Sequence, residues 1–426
     1  MIRSHAIRNL ITHSFAALTH RNFRLFWLGQ MVSLTGTWMQ RTAQLWLVYK
    51  ITDSAFLLGL VGVAQFGPIL LLSLFAGVLA DRFPKQKVLI LTQSVMLIQA
   101  VIFAVLVWTG KIQYWEILIL AMLLGLATTL DVPTRQSFII ELVGKKDLMG
   151  AIALNSAIVN IARIIGPAVA GLLMVYKGIA SCFFVNALTF VAVLMALFMI
   201  RVQPRIKQTR KMHVLTEVRE GLTYIRSNKT LISAIITMLA VGTFAMNTNV
   251  IIPVFAKDIL HKQASGYSFM LTAMGAGSFI AAILVSIRSR KGPSFKILYT
   301  SAAAVGLLYI VFGFVHLYVP SLVFIAIMGF FNLLFLTTTN STIQLNSDDE
   351  HRGRAMSVYS LSFVGTTPIG NFFAGSVTEK LGPNAGFLAC GLVTLFLVAG
   401  ILLFVYFRKK RGAENQKNSV SSEVSI

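Results

Sequence analysis

Arg163 is the residue with the most chemistry to account for. It sits in the middle of a long apolar run, with Asn160 and Asn155 on a similar helical face. A central Arg costs at least ~2.5–3.5 kcal/mol on insertion scales, so it must face a protein interior or a wet cavity. Two readings stay open. Arg163 lines a cavity and attracts anionic or oxygen-rich compounds, or it clamps its helix to a neighbour through hydrogen bonds. Arg41 is the second cation inside an apolar run, within Gly36-Thr37-Trp38-Met39-Gln40-Arg41-Thr42-Ala43-Gln44. Gln40, Arg41 and Gln44 form a polar patch, and Trp38 and Trp46 add aromatic surface. Arg41 either snorkels to the nearer interface or brings a second cation to the cavity. Asn247, Asn249, Asn332 and Asn371 are further polar groups in apolar runs, each a cavity group or interhelical glue.

The acids are distributed differently. None of the 15 Asp and Glu is central in an apolar run. Asp81, Asp131 and Glu141 lie near run ends, as candidates for a proton carrier or for a conformational latch. The seven His are scattered and form no metal-ligand cluster. Cys182 and Cys390 fall in apolar runs and read as packing residues, not as a disulfide framework. No Gly-rich loop followed by Lys-Ser/Thr is present to cradle a nucleotide phosphate, which argues against ATP-driven pumping. The reading is therefore a protein that is not an enzyme, without cofactor or metal.

The elements that position these residues are membrane helices. The chain is 56% hydrophobic and only 12% charged, against about 25% charged for a soluble domain. The net charge of +22 does not call for nucleic acid, because basic loops are what the positive-inside rule produces. Apolar runs predict twelve spans: 23–49, 55–80, 87–108, 114–134, 150–174, 179–200, 230–256, 266–287, 295–316, 320–343, 354–378 and 384–407. Every backbone amide in the lipid core must be paired, and helices of this length do that internally. The fold class is all-α integral membrane, with the lipid bilayer as its surroundings.

Lys and Arg orient it. One side holds 29 of the 37 basic residues. The other holds six: Lys50, Lys111, Lys177, Lys257, Lys262 and Lys380. Both termini are therefore expected in the cytoplasm. The organisation reads as a cytoplasmic arm (1–22), a six-helix half (23–200), a loop (201–229), a second six-helix half (230–407) and a polar tail (408–426) that is expected to be disordered. The arm carries no compact cleavable signal, and the loop holds an amphipathic segment from Val214 to Ile225. The halves repeat. A shift of 204 residues places Gly125 on Gly329, Gly166 on Gly370, Ala170 on Ala374, Gly171 on Gly375 and Gly178 on Gly382.

Two motifs carry a family resemblance. Gly77-Val78-Leu79-Ala80-Asp81-Arg82-Phe83-Pro84-Lys85 resembles the signature loop G-x-L-A-D-R-x-G-R-K of the major facilitator superfamily, departing at Pro84 and Lys85. Arg163-Ile164-Ile165-Gly166-Pro167-Ala168-Val169-Ala170-Gly171 resembles that superfamily's antiporter signature, with Ala162 and Ala170 replacing two Gly. Within the superfamily, Arg21-Asn22-Phe23-Arg24-Leu25-Phe26, Ser33-Leu34-Thr35-Gly36-Thr37-Trp38-Met39-Gln40 and Asp131-Val132-Pro133-Thr134-Arg135-Gln136-Ser137 are similar to the enterobactin-exporter and macrolide-efflux branch. The resemblance implies two pseudo-symmetric halves about a central site. It implies export of a small amphipathic compound, drug-like or siderophore-like, across a bacterial inner membrane, by a functional monomer exchanging it for protons, with the proton gradient as energy source. Import or facilitated passage of a small organic anion is the alternative. By the same resemblance Gly77, Asp81, Arg82, Lys85 and Asp131 form a conformational latch. Asp81 is expected at the start of span 11 near Arg354, and Asp131 against Arg82 or Lys85. Gly166, Pro167 and Gly171 are expected to pack helices closely, and from their own placement in apolar runs Arg163, Asn160, Arg41, Gln40, Asn247 and Asn332 are the cavity candidates.

Overall fold

The computed structural model describes residues 16–144, 146–201, 214–288, 292–348 and 351–423. Spans 1 to 6 are Arg21–Thr52, Ala55–Arg82, Lys85–Trp108, Tyr114–Val143, Leu148–Tyr176 and Ile179–Met199. A loop helix, Val214–Ser227, leads into span 7, which is broken into Lys229–Phe244 and Thr248–Asp258. Spans 8 to 10 are Ala264–Arg288, Phe295–Phe312 and Tyr318–Leu345. Spans 11 and 12 share one element, Arg352–Glu423, interrupted at Gly382 (φ 82°, ψ 167°). Among the described residues, ten stretches are long and apolar enough to cross a membrane. One of them, Arg352–Val405, has 54 residues. At ~1.5 Å per residue that is far more than a ~30 Å hydrocarbon core needs, so it crosses twice. Span 1, at 32 residues, is long enough but diluted by Gln30, Gln40, Arg41 and Gln44. Adding it makes the twelve expected crossings.

Three elements differ from the sequence expectation. Span 4 runs on past residue 134 to Val143, with Pro133 inside it. Pro is tolerated inside a membrane helix that its neighbours support, and span 4 packs along spans 2 and 3. Span 7 breaks at Ala245 to Asn247, where no Gly or Pro marks the sequence. The closing segment expected to be disordered continues as helix to Glu423. It contains no Pro and several good helix formers.

The glycine repeat has a structural meaning. Gly178 and Gly382 both take positive φ (78° and 82°) and turn the chain from span 5 into span 6 and from span 11 into span 12. Gly125 and Gly329 mark matching crossings. A Cβ at Gly125 would lie 2.1 Å from the Gln65 carbonyl oxygen, and one at Gly329 would lie 2.0 Å from that of Met274. Spans 2 and 4 thus cross as spans 8 and 10 do. The halves meet along span 2 against span 11 and span 5 against span 8. The loop helix docks under span 11, with Glu220 paired to Arg354 at 3.1 Å.

The side poor in Lys and Arg is called the outer side below. Single-Cys reporters at Lys111 and Lys177 should label from outside intact cells, and a reporter at Lys207 only after permeabilisation. External labelling at Lys207 would overturn the two-half topology.

Candidate functional site

Span 1 carries the centre of the site. The Arg41 guanidinium lies over two rings, Trp38 at 5.3 Å and Phe66 of span 2 at 5.4 Å. Arg163 of span 5 lies over the same Trp38 ring at 5.2 Å. Two cations from two spans converge on one indole. Gly166 makes this approach feasible, because a Cβ there would come within 2.5 Å of the Trp38 Cβ and 2.9 Å of the Thr35 carbonyl oxygen. Span 8 backs span 5 at the same level, where Gly275 faces the Arg163 carbonyl. From span 8, Tyr267 stacks on Trp46 of span 1 at 5.6 Å. Its buried hydroxyl has no hydrogen-bond partner among the described residues.

Arg41 therefore joins Arg163 and does not snorkel to the interface. The hydrogen-bonded clamp entertained for Arg163 is not formed. Among the described residues neither guanidinium makes a hydrogen bond or ion pair, and the Arg163 Nε is buried without an acceptor. Both Arg are half-buried, and a cation–π contact contributes about 0.5–2 kcal/mol, so Trp38 offsets only part of the cost of desolvating two charges.

The other sequence-predicted cavity residues go elsewhere. Gln40 is buried in a knot joining spans 1, 3 and 6. It donates to Gln99 at 3.0 Å and accepts from Asn186 at 2.7 Å. It is one residue, about 100° of helix, away from Arg41, and so faces a different neighbour. Asn160 donates to the Ser156 carbonyl of its own helix at 2.9 Å. Asn247 sits at the break in span 7 and donates to the Thr243 carbonyl at 2.6 Å, and Asn332 lies in span 10. The amide oxygens of both are buried without hydrogen-bond partners among the described residues, the Arg pair included. Asn371 packs on Gly59 and Gly62 of span 2. In the antiporter-like motif, Gly171 abuts Ser268 of span 8, so Gly166 and Gly171, flanking the buried Pro167, bring span 5 against both span 1 and the opposite half.

On the inner side the pairing differs from expectation. Asp131 is fully buried and pairs with Arg135, one turn further along span 4, instead of Arg82 or Lys85. It also accepts from Thr92 Oγ1 at 2.9 Å and Gln93 Nε2 at 2.8 Å. Arg135 in turn donates to Gln30 Oε1 of span 1 at 2.7 Å. The extension of span 4 through Pro133 explains the change, because it puts Arg135 on the Asp131 face. Lys85 instead meets Glu141 at 2.6 Å. Arg82 ends span 2 and is exposed. The side-chain surroundings of Gly77 and Asp81 lie outside the described residues.

The sequence reading missed a polar latch on the outer side. Glu379, at the end of span 11, caps the start of span 2. Its Oε2 accepts from Ala55 N at 2.7 Å, Ser54 Oγ at 3.0 Å and Phe56 N at 3.2 Å. Tyr49 donates to Asp258 Oδ2 at 2.5 Å, and Lys257 pairs with Asp53 Oδ1 at 2.5 Å. Each of these contacts joins one half to the other. A carboxylate at a helix N-terminus meets unpaired amides and the positive end of the dipole, which holds span 2 to span 11. The available signal was that acids on this Lys-poor side sit at span ends opposite Lys257 and the amides of Ala55 and Phe56.

A family described as transmembrane secretion effector, within the major facilitator group, matches residues 12–424. The chain is 25% identical over 402 residues to the staphyloferrin A transporter of Staphylococcus aureus (strain NCTC 8325 / PS 47), covering 93% of this chain and 100% of that protein. It is 21% identical over 382 residues to macrolide efflux protein A of Streptococcus pyogenes, covering 88% and 93%. In fold it is similar to the nucleoside transporter NupG, with a TM-score of 0.74 at 11% identity, covering 90% of this chain and 98% of that one.

Proposed function

Because the chain belongs to the transmembrane secretion effector family of multi-pass small-molecule transporters, we propose that it exports a small amphipathic compound from the cytoplasm by alternating access. The observation that supports this reading is the outer latch: two six-helix halves are tied at one end, and a half-buried polar site lies between spans 1 and 5. The latched form receives its load from the inside. Parting the latch delivers it outside.

The opposite state needs an inner latch, and that is the role proposed for Asp81 at the start of span 11, with Gly77, Arg82 and Lys85 shaping the loop. The spacing of Asp81 in the signature-like loop supports it. Proton antiport is the proposed energy source. Asp131, fixed by Arg135, Thr92 and Gln93, serves the N-terminal half as a structural tie.

Everted membrane vesicles test the direction. Uptake that requires an acidic lumen is the expected result. Uptake confined to right-side-out vesicles would establish the alternative, import of a small organic anion.

A further inference from the structure

The Arg pair narrows the chemical class of the load. We infer that the site takes an organic acid bearing at least two carboxylates, held by Arg41 and Arg163 with its carbon skeleton against Trp38 and Phe66. This rests on the transport reading above and names the substrate class of the same site.

The argument starts from charge. Two guanidiniums from spans 1 and 5 share one indole face-contact partner. They are close enough to repel each other. Among the described residues neither has a carboxylate or any hydrogen-bond acceptor, and the Arg163 Nε is buried without one. Asp131, the acid buried inside span 4, is already held by Arg135, Thr92 and Gln93 and pairs with neither guanidinium. Buried charges in a membrane are normally paired with one another or with a ligand. A cationic drug would add a third like charge to this cluster and be driven out. A monocarboxylate would satisfy one fork and leave the other bare. Each guanidinium presents a planar fork that matches one carboxylate through two parallel N–H···O bonds, so two forks call for two carboxylates.

The surroundings define the rest of the molecule. Trp38 and Phe66, already against the two guanidiniums, place aromatic surface beside both forks, so the skeleton between the acid groups is carbon-rich. Span 8 of the other half backs span 5 at this level, where Gly275 faces the Arg163 carbonyl. A load held by both Arg therefore sits beside the seam between the halves, where a load that governs their rocking has to be.

Purified protein in detergent tests this without reference to transport direction. The probes are malonate, succinate, glutarate and citrate, with benzoate as the monocarboxylate and tetraphenylphosphonium as the cation. Binding is read as the concentration-dependent rise in melting temperature. At least one di- or tricarboxylate should stabilise the protein, with benzoate about tenfold weaker or more and tetraphenylphosphonium without effect. Arg41→Lys and Arg163→Lys keep the charge but lose the fork, and each should weaken the best probe about tenfold. Arg41→Gln and Arg163→Gln should abolish its effect. If a Gln variant does not fold, the Lys variants decide. Stabilisation by tetraphenylphosphonium alone, equal response to benzoate and the multivalent acids, no response to any acid, or undiminished binding in both Lys variants would each overturn the assignment. The two readings fail separately. Carboxylate binding without acid-driven uptake into everted vesicles removes export and keeps the site, whereas acid-driven uptake of a cation without carboxylate binding does the reverse.

Discussion

Asp131→Asn should lower the melting temperature of the detergent-solubilised protein by several degrees, and Arg135→Gln should do the same. Asp131 has no exposed surface, and its carboxylate meets Arg135, Thr92 and Gln93. Those partners come from spans 3 and 4, and Arg135 carries the connection on to Gln30 of span 1. An amide in place of the carboxylate leaves a largely buried guanidinium without its counter-charge. Breaking a buried pair from one side costs about 3–5 kcal/mol, mainly because the remaining charge stays desolvated. The double variant Asp131→Asn with Arg135→Gln removes both charges and should be less destabilised than the sum of the singles. Thermal melts of the three variants are the measurement. Melting temperatures equal to wild type would show that the network is dispensable and would return Asp131 to the list of proton carriers. Lys85→Gln is the comparison, since the Glu141 side chain is the more exposed of the two acids and its pair should matter less.

Glu379→Gln should part the two halves on the outer side. One carboxylate oxygen accepts from two backbone amides and a hydroxyl at the start of span 2. Hydrogen bonds to a charged group are each worth about 1.5–3 kcal/mol net, and the helix end adds about 0.3–1 kcal/mol. An amide oxygen keeps weakened bonds, so a net loss of ~2–3 kcal/mol is reasonable, which is roughly a 30- to 150-fold shift between the two states. The seam offers its own reporter. Phe56 of span 2 and Phe372 of span 11 touch edge to face, 5.7 Å apart. With Cys182 and Cys390 replaced by Ser, Cys at both positions should cross-link readily in the wild-type background and much less with Glu379→Gln. Span 2 itself stays capped, because Ser54 still accepts from Leu57 N at 3.2 Å. Unchanged cross-linking would assign the closure of this face to apolar packing around Gly59, Gly62 and Gly375 instead of to the carboxylate.

The residues show where sequence reading reached and where it stopped. Arg41 and Arg163 were legible because a cation in an apolar run is conspicuous at any register. Gln40 was placed with them because it is adjacent in sequence, yet one step along a helix turns a side chain by about 100°. That turn put Gln40 on Asn186 and Gln99. Asp131 was legible as a tethered acid, but its partner depended on whether Pro133 ended the helix. The outer latch left only acids at span ends to see, without their partners. Tyr49 and Asp258 are 209 residues apart, and Ser54 and Glu379 are 325 apart. No local pattern encodes such a pairing.

The chain carries in plain view whatever the bilayer imposes one segment at a time. Apolar length sets the number of crossings, the Lys and Arg bias predicts the orientation, and the 204-residue repeat of glycines sets the turns at Gly178 and Gly382. Each of these follows from a segment meeting lipid or from a residue's own backbone freedom. Only the tertiary structure decided which groups meet across the bundle. Arg41 and Arg163 share Trp38 because Gly166 lets span 5 close on span 1. Glu379 reaches span 2 because span 11 packs along it. Those contacts depend on how helices rotate and cross, and rotation is set by the close packing of small residues between helices, which a hydropathy pattern does not contain.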